Sequence, residues 1–110
     1  MRITRGGDMI AIGPGKVALL EAIAETGSIS AAARTMGMSY RRAWLLVDEM
    51  NRALIAPVVE TAAGGHQGGG ALLTPTGKKV IQLYRRVEKL SATAGAAEIK
   101  MLFNLLAKSK

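Results

Sequence analysis

Apolar residues recur at helical spacing along most of this chain. Over residues 16–26 they return every three or four positions, which is typical of an amphipathic helix. The same pattern, together with capping residues, predicts helices over residues 29–36, 39–54 and 75–94. A further apolar helix is expected after Gly95. Helices therefore dominate the predicted fold.

Strand-like residues interrupt this helical pattern. Val58–Thr61 and Ala71–Thr74 flank a glycine-rich run at residues 64–70, which predicts a two-stranded ribbon with a glycine-rich tip. Pro57 excludes a continuous helix into the first of these strands. A smaller hairpin or strand lead-in is expected over residues 2–12.

Glycine and serine mark the boundaries of three consecutive helices. Gly27 suits the position directly after a helix, where a left-handed backbone conformation closes the last turn. Ser28 is predicted to be the N-cap of the next helix. Gly37 permits a second tight turn, and Ser39 caps the helix that begins near Tyr40. Two helices joined by so short a turn form a helix-turn-helix, whose second helix can enter the DNA major groove. An ordinary helical hairpin is the alternative.

The helix over residues 39–54 has two distinct faces. At about 100° per residue one stripe is apolar and predicted to pack against the preceding helices; it contains Ala43, Val47, Met50 and Leu54. The opposite arc contains Arg41, Arg42, Leu45, Asp48, Glu49 and Arg52. Arginines near the start of a recognition helix can pair with guanine, and a leucine can contact a thymine methyl group. A solvated charged face without a ligand is the alternative.

Composition narrows the possible functions. The 110 residues carry a formal net charge of +7 with a sequence pI near 10.3, and the basic residues lie on predicted helices, as in proteins that bind polyanions. The chain has no cysteine and one histidine, His66, which argues against disulfides, thiolate chemistry and a histidine-rich metal site. We expect one domain without enzymatic activity, metal or cofactor. The sequence shows no membrane span or signal peptide, so a cytoplasmic location is expected.

The glycine-rich segments allow other interpretations. Gly13-Pro14-Gly15 imitates a dinucleotide-binding fingerprint. That fingerprint requires a second strand that ends in an acidic residue about 20 positions later, but those positions here lie inside the helix-turn-helix. Gly77-Lys78 lacks the spacing of a phosphate-binding loop. The run at residues 64–70 can be a flexible linker, a phosphate-binding loop or the tip of a wing. Its strand-like flanks favour the wing, which makes His66 and Gln67 candidate DNA contacts.

From residue 12 to residue 90 the chain resembles the DNA-binding domain of molybdate-responsive, ModE-type transcriptional regulators, which are related to the LysR-type regulators. The resemblance rests on Leu19-Leu20 with Ile23, Gly27-Ser28-Ile29-Ser30, Ala33 with Gly37, Ser39-Tyr40, Ala43-Trp44, Glu49-Met50-Asn51, Gly64-Gly65, Gly68-Gly69-Gly70-Ala71, Leu73-Thr74 with Gly77, and Ile81-Gln82-Leu83-Tyr84. It implies a winged helix-turn-helix that binds a palindromic operator as a homodimer through long flanking helices. Full-length members also carry C-terminal oxyanion-binding domains. A chain ending at Lys110 leaves no room for them, so molybdate is not carried over as a ligand.

The predicted architecture is mainly α with a small β-ribbon: a winged helix-turn-helix over residues 1–74, with its wing at about 58–74, followed by a helical dimerisation segment over residues 75–110 of the same domain. The candidate contacts with double-stranded DNA are Ser28, Ser30, Arg34, Ser39, Tyr40, Arg41, Arg42, Leu45, Arg52, His66 and Gln67. The candidate dimer contacts are Val80, Leu83, Tyr84, Val87, Leu90, Leu102, Phe103 and Leu106. Two other functions fit the same residues: a protein-interaction adaptor without DNA binding, and a direct oxyanion sensor.

Overall fold

The computed structural model describes residues 3–4, 10–61 and 70–106. The elements in chain order are β1 (Ile3–Thr4), β2 (Ile10–Ile12), α1 (Pro14–Thr26), α2 (Ile29–Thr35), α3 (Tyr40–Ala53), β3 (Val59–Thr61), β4 (Ala71–Leu73), α4 (Pro75–Ala94) and α5 (Ala96–Leu105). The mainly helical prediction with a small ribbon is confirmed. The predicted wing-tip residues His66 and Gln67 lie outside the described residues.

The observed helix boundaries follow the local signals in the sequence. Helix α1 begins at Pro14, two positions before the predicted start, because a proline is well tolerated in the first turn of a helix. At its other end Gly27 adopts a left-handed conformation with φ 73°, and its N–H donates to Ile23 O at 2.7 Å. Helices α2 and α3 begin directly after the predicted caps, Ser28 and Ser39.

Both pairs of strands are antiparallel hairpins. In the N-terminal hairpin Ile3 pairs with Ile12. In the second hairpin Val59 pairs with Leu73 and Thr61 pairs with Ala71, which is the ribbon expected around the glycine-rich run. An antiparallel β1–β2 pair is not the parallel strand arrangement that a dinucleotide-binding fold needs, and Gly13 and Pro14 instead start α1.

The hydrophobic core lies between the first three helices. Helix α1 contributes Val17, Leu19, Leu20 and Ile23, all fully buried. Helix α2 meets it through the small residues Ala32 and Ala33, and α3 packs through the predicted stripe of Ala43, Val47 and Met50. Leu54 is half-buried at the edge of this core. The core therefore fixes which face of α3 is left on the surface.

The second hairpin is attached at its base to α1 and α4. Ala71 N donates to Gly27 O at 2.9 Å, which ties β4 to the end of α1. Thr74 N donates to Val58 O at 3.0 Å, and Thr74 Oγ1 donates to Pro57 O at 2.6 Å. Gly77 packs so closely that a Cβ atom there would lie 2.2 Å from Val58 O. These contacts hold the root of the wing against the start of α4.

Helix α4 packs only one side of its first half on the core. Tyr84, expected among the dimer contacts, is 3% exposed and lies inside the core of the single chain. Helix α4 packs against α1 there, and the neighbouring Arg85 pairs with Glu21 on α1. Leu83, Val87 and Leu90 remain exposed, as does the whole of α5, in which no residue is buried.

Candidate nucleic-acid interface

The turn between α2 and α3 is built from local hydrogen bonds. Gly37 has φ 68°, a left-handed conformation that favours glycine. The N–H of Gly37 donates to Arg34 O at 3.1 Å, and the N–H of Met38 donates to Ala33 O at 3.0 Å. Ser39 Oγ then accepts the N–H of Arg42 at 3.1 Å and starts α3. This compact turn presents the first residues of α3 at the surface.

The outward face of α3 lies directly opposite its buried stripe. At about 100° per residue, Arg41, Leu45, Asp48 and Arg52 follow one line along the helix. Arg41, Leu45 and Arg52 are exposed, with Leu45 at 44%, although leucine is a residue that proteins usually bury. An exposed apolar side chain beside arginines suits the mixed surface of the major groove, which offers both acceptors and thymine methyl groups.

One flank of α3 faces the wing. A cleft of about 180 Å³ separates α3 from β3, and Trp44, Asp48 and Thr61 are among its lining residues. Trp44 is 45% exposed, so it reaches the surface at the edge of the apolar stripe. Asn51 closes the deeper end of this flank: its Oδ1 accepts the N–H of Val58 at 2.8 Å, and its Nδ2 donates to the carbonyl of Val59 at 3.3 Å. The wing and the recognition helix are therefore joined directly.

The other flank of α3 faces the start of α1. A groove of about 320 Å³ lies there, and Lys16, Met38 and Arg42 are among its lining residues. Lys16 is 8% exposed and its Nζ lies 3.1 Å from Glu49 Oε1, so a buried cation balances this carboxylate. Arg41 and Arg42 thus have different surroundings: Arg41 lies on the outward line of α3, and Arg42 lines this groove.

The charges on α3 differ in how they are compensated. Arg52 Nη2 lies 2.9 Å from Asp48 Oδ2 one turn away. Within the part of the chain that the structure describes, neither Arg41 nor Arg42 forms an ion pair. The two arginines at the start of α3 therefore carry positive charge at the surface that no carboxylate of the described residues pairs with.

The remaining predicted DNA contacts lie on or next to the helix-turn-helix. Ser30, Arg34 and Tyr40 are exposed, Tyr40 at 55%. Ser28 and Ser39 both act as helix caps; Ser28 Oγ accepts the N–H of Ala31 at 3.0 Å and its residue is half-buried. Two of the predicted contacts, Ser28 and Ser39, therefore also have a structural role as helix caps.

Sequence reasoning missed Asn51 and Lys16 as parts of this site. Asn51 bonds to residues that follow a proline break, and no periodic pattern indicates that contact. Lys16 received no role from the sequence, whereas its buried ammonium group pairs with Glu49 on α3. A weak signal existed for Asn51, since a polar residue beside the apolar stripe of a buried helix needs a partner.

No group of three or more His, Cys, Asp or Glu side chains suited to a metal ion occurs among residues 3–4, 10–61 and 70–106. Over the same residues, no helix combines the length and the apolar character needed to cross a membrane.

Comparison with known proteins agrees with this geometry. The model of the family described as bacterial regulatory helix-turn-helix protein, lysR family, matches residues 15–78. The chain is 52% identical over 92 residues to the molybdenum-pterin-binding protein MopB of Rhodobacter capsulatus, a match over 84% of this chain and 32% of MopB. It is 43% identical over 81 residues to the transcriptional dual regulator ModE of Escherichia coli K12, over 74% of this chain and 31% of ModE. The chain thus spans about a third of the length of these relatives.

The solved structure of a CbnR DNA-binding domain in complex with DNA has a similar fold. It superimposes with a TM-score of 0.63 at 21% identity and covers 83% of this chain and 99% of the CbnR domain. The predicted winged helix-turn-helix and the resemblance to ModE-type regulators are both confirmed. The matching family model covers more than half of the residues of this chain. The chain therefore belongs to the lysR family of bacterial regulatory helix-turn-helix proteins.

Proposed function

We propose that this chain is a sequence-specific transcriptional regulator without enzymatic activity, which binds a palindromic DNA operator as a homodimer. The observation that carries the proposal is the outward line of α3, where Arg41 and Leu45 are exposed directly after the Gly37 turn. Related helix-turn-helix proteins place the start of the second helix in the major groove, with its side chains against the base edges. The same placement here brings Arg41 and Leu45 to the bases.

Arg41 and Arg42 have different roles in this proposal. Arg41 lies on the outward line and reads a guanine through its O6 and N7 atoms. Arg42 lies beside the start of α1, on the flank that faces the DNA backbone when α3 enters the groove. There it binds a phosphate, which fixes the register of the domain but carries no sequence information.

The wing and α2 complete the contact with the DNA backbone. Ser30 and Arg34 are exposed on α2, the helix that crosses the backbone in this motif. Asn51 and Gly27 anchor the two strands of the wing, so β3 and β4 are held next to α3. His66 and Gln67, which lie outside the described residues, are proposed as further contacts with the DNA. The net charge of +7 adds a general attraction to the duplex.

Dimerisation uses the apolar surface that α4 and α5 leave uncovered. Its members are Leu83, Val87, Leu90, Ile99, Leu102, Phe103 and Leu106, all between 38% and 65% exposed. Large exposed apolar side chains in such number are typical of an interaction surface. A two-fold pair of such surfaces presents two recognition helices roughly 34 Å apart, which matches half-sites one helical turn apart.

Selection of bound oligonucleotides from a random pool at two salt concentrations tests this function. We expect an enriched inverted repeat and an affinity that falls steeply as salt rises, because each phosphate contact releases counterions. Weak, salt-insensitive binding without an enriched sequence would instead support a protein-interaction adaptor.

A further inference from the structure

An ion pair lies on the outward line of α3, the helix whose start the proposed function places in the major groove. Arg52 Nη2 is 2.9 Å from Asp48 Oδ2, and the two residues are one helical turn apart. The Arg52 side chain is 75% exposed and that of Asp48 is 29% exposed, so the guanidinium lies outward and the carboxylate lies beside it. Both residues follow the outward line of Arg41 and Leu45.

Neither stability nor general affinity explains the position of Asp48. An exposed pair of this spacing contributes little to folding, because solvent screens it and two long side chains lose freedom. A carboxylate on this surface also repels phosphates and so weakens binding to DNA of any sequence. The remaining effect of Asp48 is on the orientation of Arg52, and hence on which bases are accepted.

We propose that Asp48 is a specificity-determining residue that positions Arg52 for base recognition, an inference that rests on the proposed function of α3. A guanidinium has five N–H donors in a planar fork, and an unrestrained one binds the nearest phosphate. Asp48 occupies part of the fork and repels phosphates, so it favours contacts of the Arg52 guanidinium with base edges over contacts with the backbone. Guanine offers O6 and N7 to such donors, and cytosine N4 can donate to Asp48 itself. The pair therefore selects a site that contains a G·C base pair.

The neighbouring carboxylate does not share this role. Glu49 Oε1 lies 3.1 Å from Nζ of the buried Lys16, on the flank of α3 that faces α1. The partner of Glu49 is a buried lysine beneath α3, whereas the partner of Asp48 is a mostly exposed arginine on the outward line. Asp48 is thus the acidic residue of α3 that acts on the outward line.

Base preferences of four proteins test the inference: the wild type, Asp48→Asn, Arg52→Ala and the control Glu98→Gln. Glu98 is exposed on α5, away from the helix-turn-helix, and its substitution also removes one carboxylate charge. Oligonucleotide selection gives the preferred bases, and titrations give the ratio of affinities for the selected site and for random DNA. Thermal unfolding followed by circular dichroism verifies that each variant is folded.

We expect Asp48→Asn to bind random DNA about twofold or more tightly, because a repulsive charge is removed. Its ratio of selected to random affinity should fall about tenfold, with the lost preference at the same base pairs as in Arg52→Ala. Glu98→Gln should keep the wild-type preferences. An Asp48→Asn protein that retains every base preference, or loses one that Arg52→Ala keeps, would overturn the inference. A wild type without any preference would overturn the proposed function as well, so the two failures are distinguishable.

Discussion

Asn51 joins the recognition helix to the wing, because its Oδ1 accepts the backbone N–H of Val58 at 2.8 Å. The same atom lies 3.4 Å from the N–H of Val59, and Nδ2 donates to the carbonyl of Val59. One side chain therefore satisfies the backbone at the point where the chain leaves α3 and enters β3. The orientation of the wing relative to α3 depends on this residue.

Replacing Asn51 by alanine should destabilise the protein by about 1–3 kcal/mol, because half-buried backbone groups lose their partners. The free energy of unfolding from urea titration measures this. Asn104→Ala on the exposed α5 removes the same amide and should change stability by less than about 0.5 kcal/mol. Equal losses in the two variants would show that the wing root does not depend on Asn51.

Two glycines should respond oppositely to alanine. At Gly77 a Cβ atom would lie 2.2 Å from Val58 O, so Gly77→Ala must displace the wing root from α4 and should cost about 1–3 kcal/mol or more. At Gly15 in α1 no atom lies within 4 Å of the added Cβ. Gly15→Ala should therefore stabilise the helix by about 0.5–1 kcal/mol. Thermal unfolding of both variants measures the difference, and a stabilising Gly77→Ala would contradict the close packing seen here.

The ion pair between Glu21 on α1 and Arg85 on α4 predicts that stability depends on pH. Arg85 Nε and Nη2 donate to the two carboxylate oxygens of Glu21 at 3.0 and 2.6 Å, and these hydrogen bonds hold the pKa of Glu21 below its usual range. The contribution of this pair to stability is therefore fully present at pH values above about 4.3, the ordinary pKa of a glutamate. It is lost as the pH falls through the lower pKa of the folded state.

Arg85→Ala should accordingly reduce stability at neutral pH by less than about 1 kcal/mol, since both side chains are about 40% exposed and screened by solvent. The loss should shrink as unfolding is measured at progressively lower pH, because protonation of the Glu21 carboxyl removes the charge that pairs with Arg85. Arg86→Ala, which changes an exposed neighbour, is the control. A deficit of equal size at every pH value would mean that packing rather than charge explains the effect.

Oligomeric state tests the apolar surface of α4 and α5. Leu102 and Phe103 line a depression on α5 together with Ile99 and Leu106, whereas Met101 lies on the opposite side of that helix. Leu102→Glu should shift the protein from dimer to monomer, because dimerisation would bury a charge without a partner. Met101→Glu should leave the dimer intact. Sedimentation at micromolar concentration distinguishes these outcomes, and a wild type that sediments as a monomer would contradict the proposed dimer.

Local signals made most of the fold predictable, because caps and turns depend on neighbouring residues. Ser28, Gly37 and Ser39 act as the sequence indicated. Nonlocal contacts were not predictable in this way. Tyr84 shares helical spacing with exposed residues of α4, and its burial depends on how α4 packs on α1, a contact between segments about 64 positions apart in the chain.

The candidate site was predictable to a similar extent. The outward line of α3 follows from helical periodicity alone, and the exposed Arg41 and Leu45 agree with it. The different surroundings of Arg41 and Arg42 could not be predicted, because they depend on where the start of α1 and Lys16 lie. Periodicity orders residues around one helix, but it does not show which neighbouring element covers each flank.

The central claim is that Arg41 reads a base from the major groove. The most direct measurement is the affinity of Arg41→Ala for a selected operator and for random DNA, with Arg86→Ala on α4 as a matched loss of charge. Arg41→Ala should lose about 1–3 kcal/mol of binding free energy on the operator and much less on random DNA. Its preference at one base pair should also relax. Equal losses on both DNAs would show that Arg41 contacts a phosphate, and no loss on either would contradict the placement of α3 in the groove.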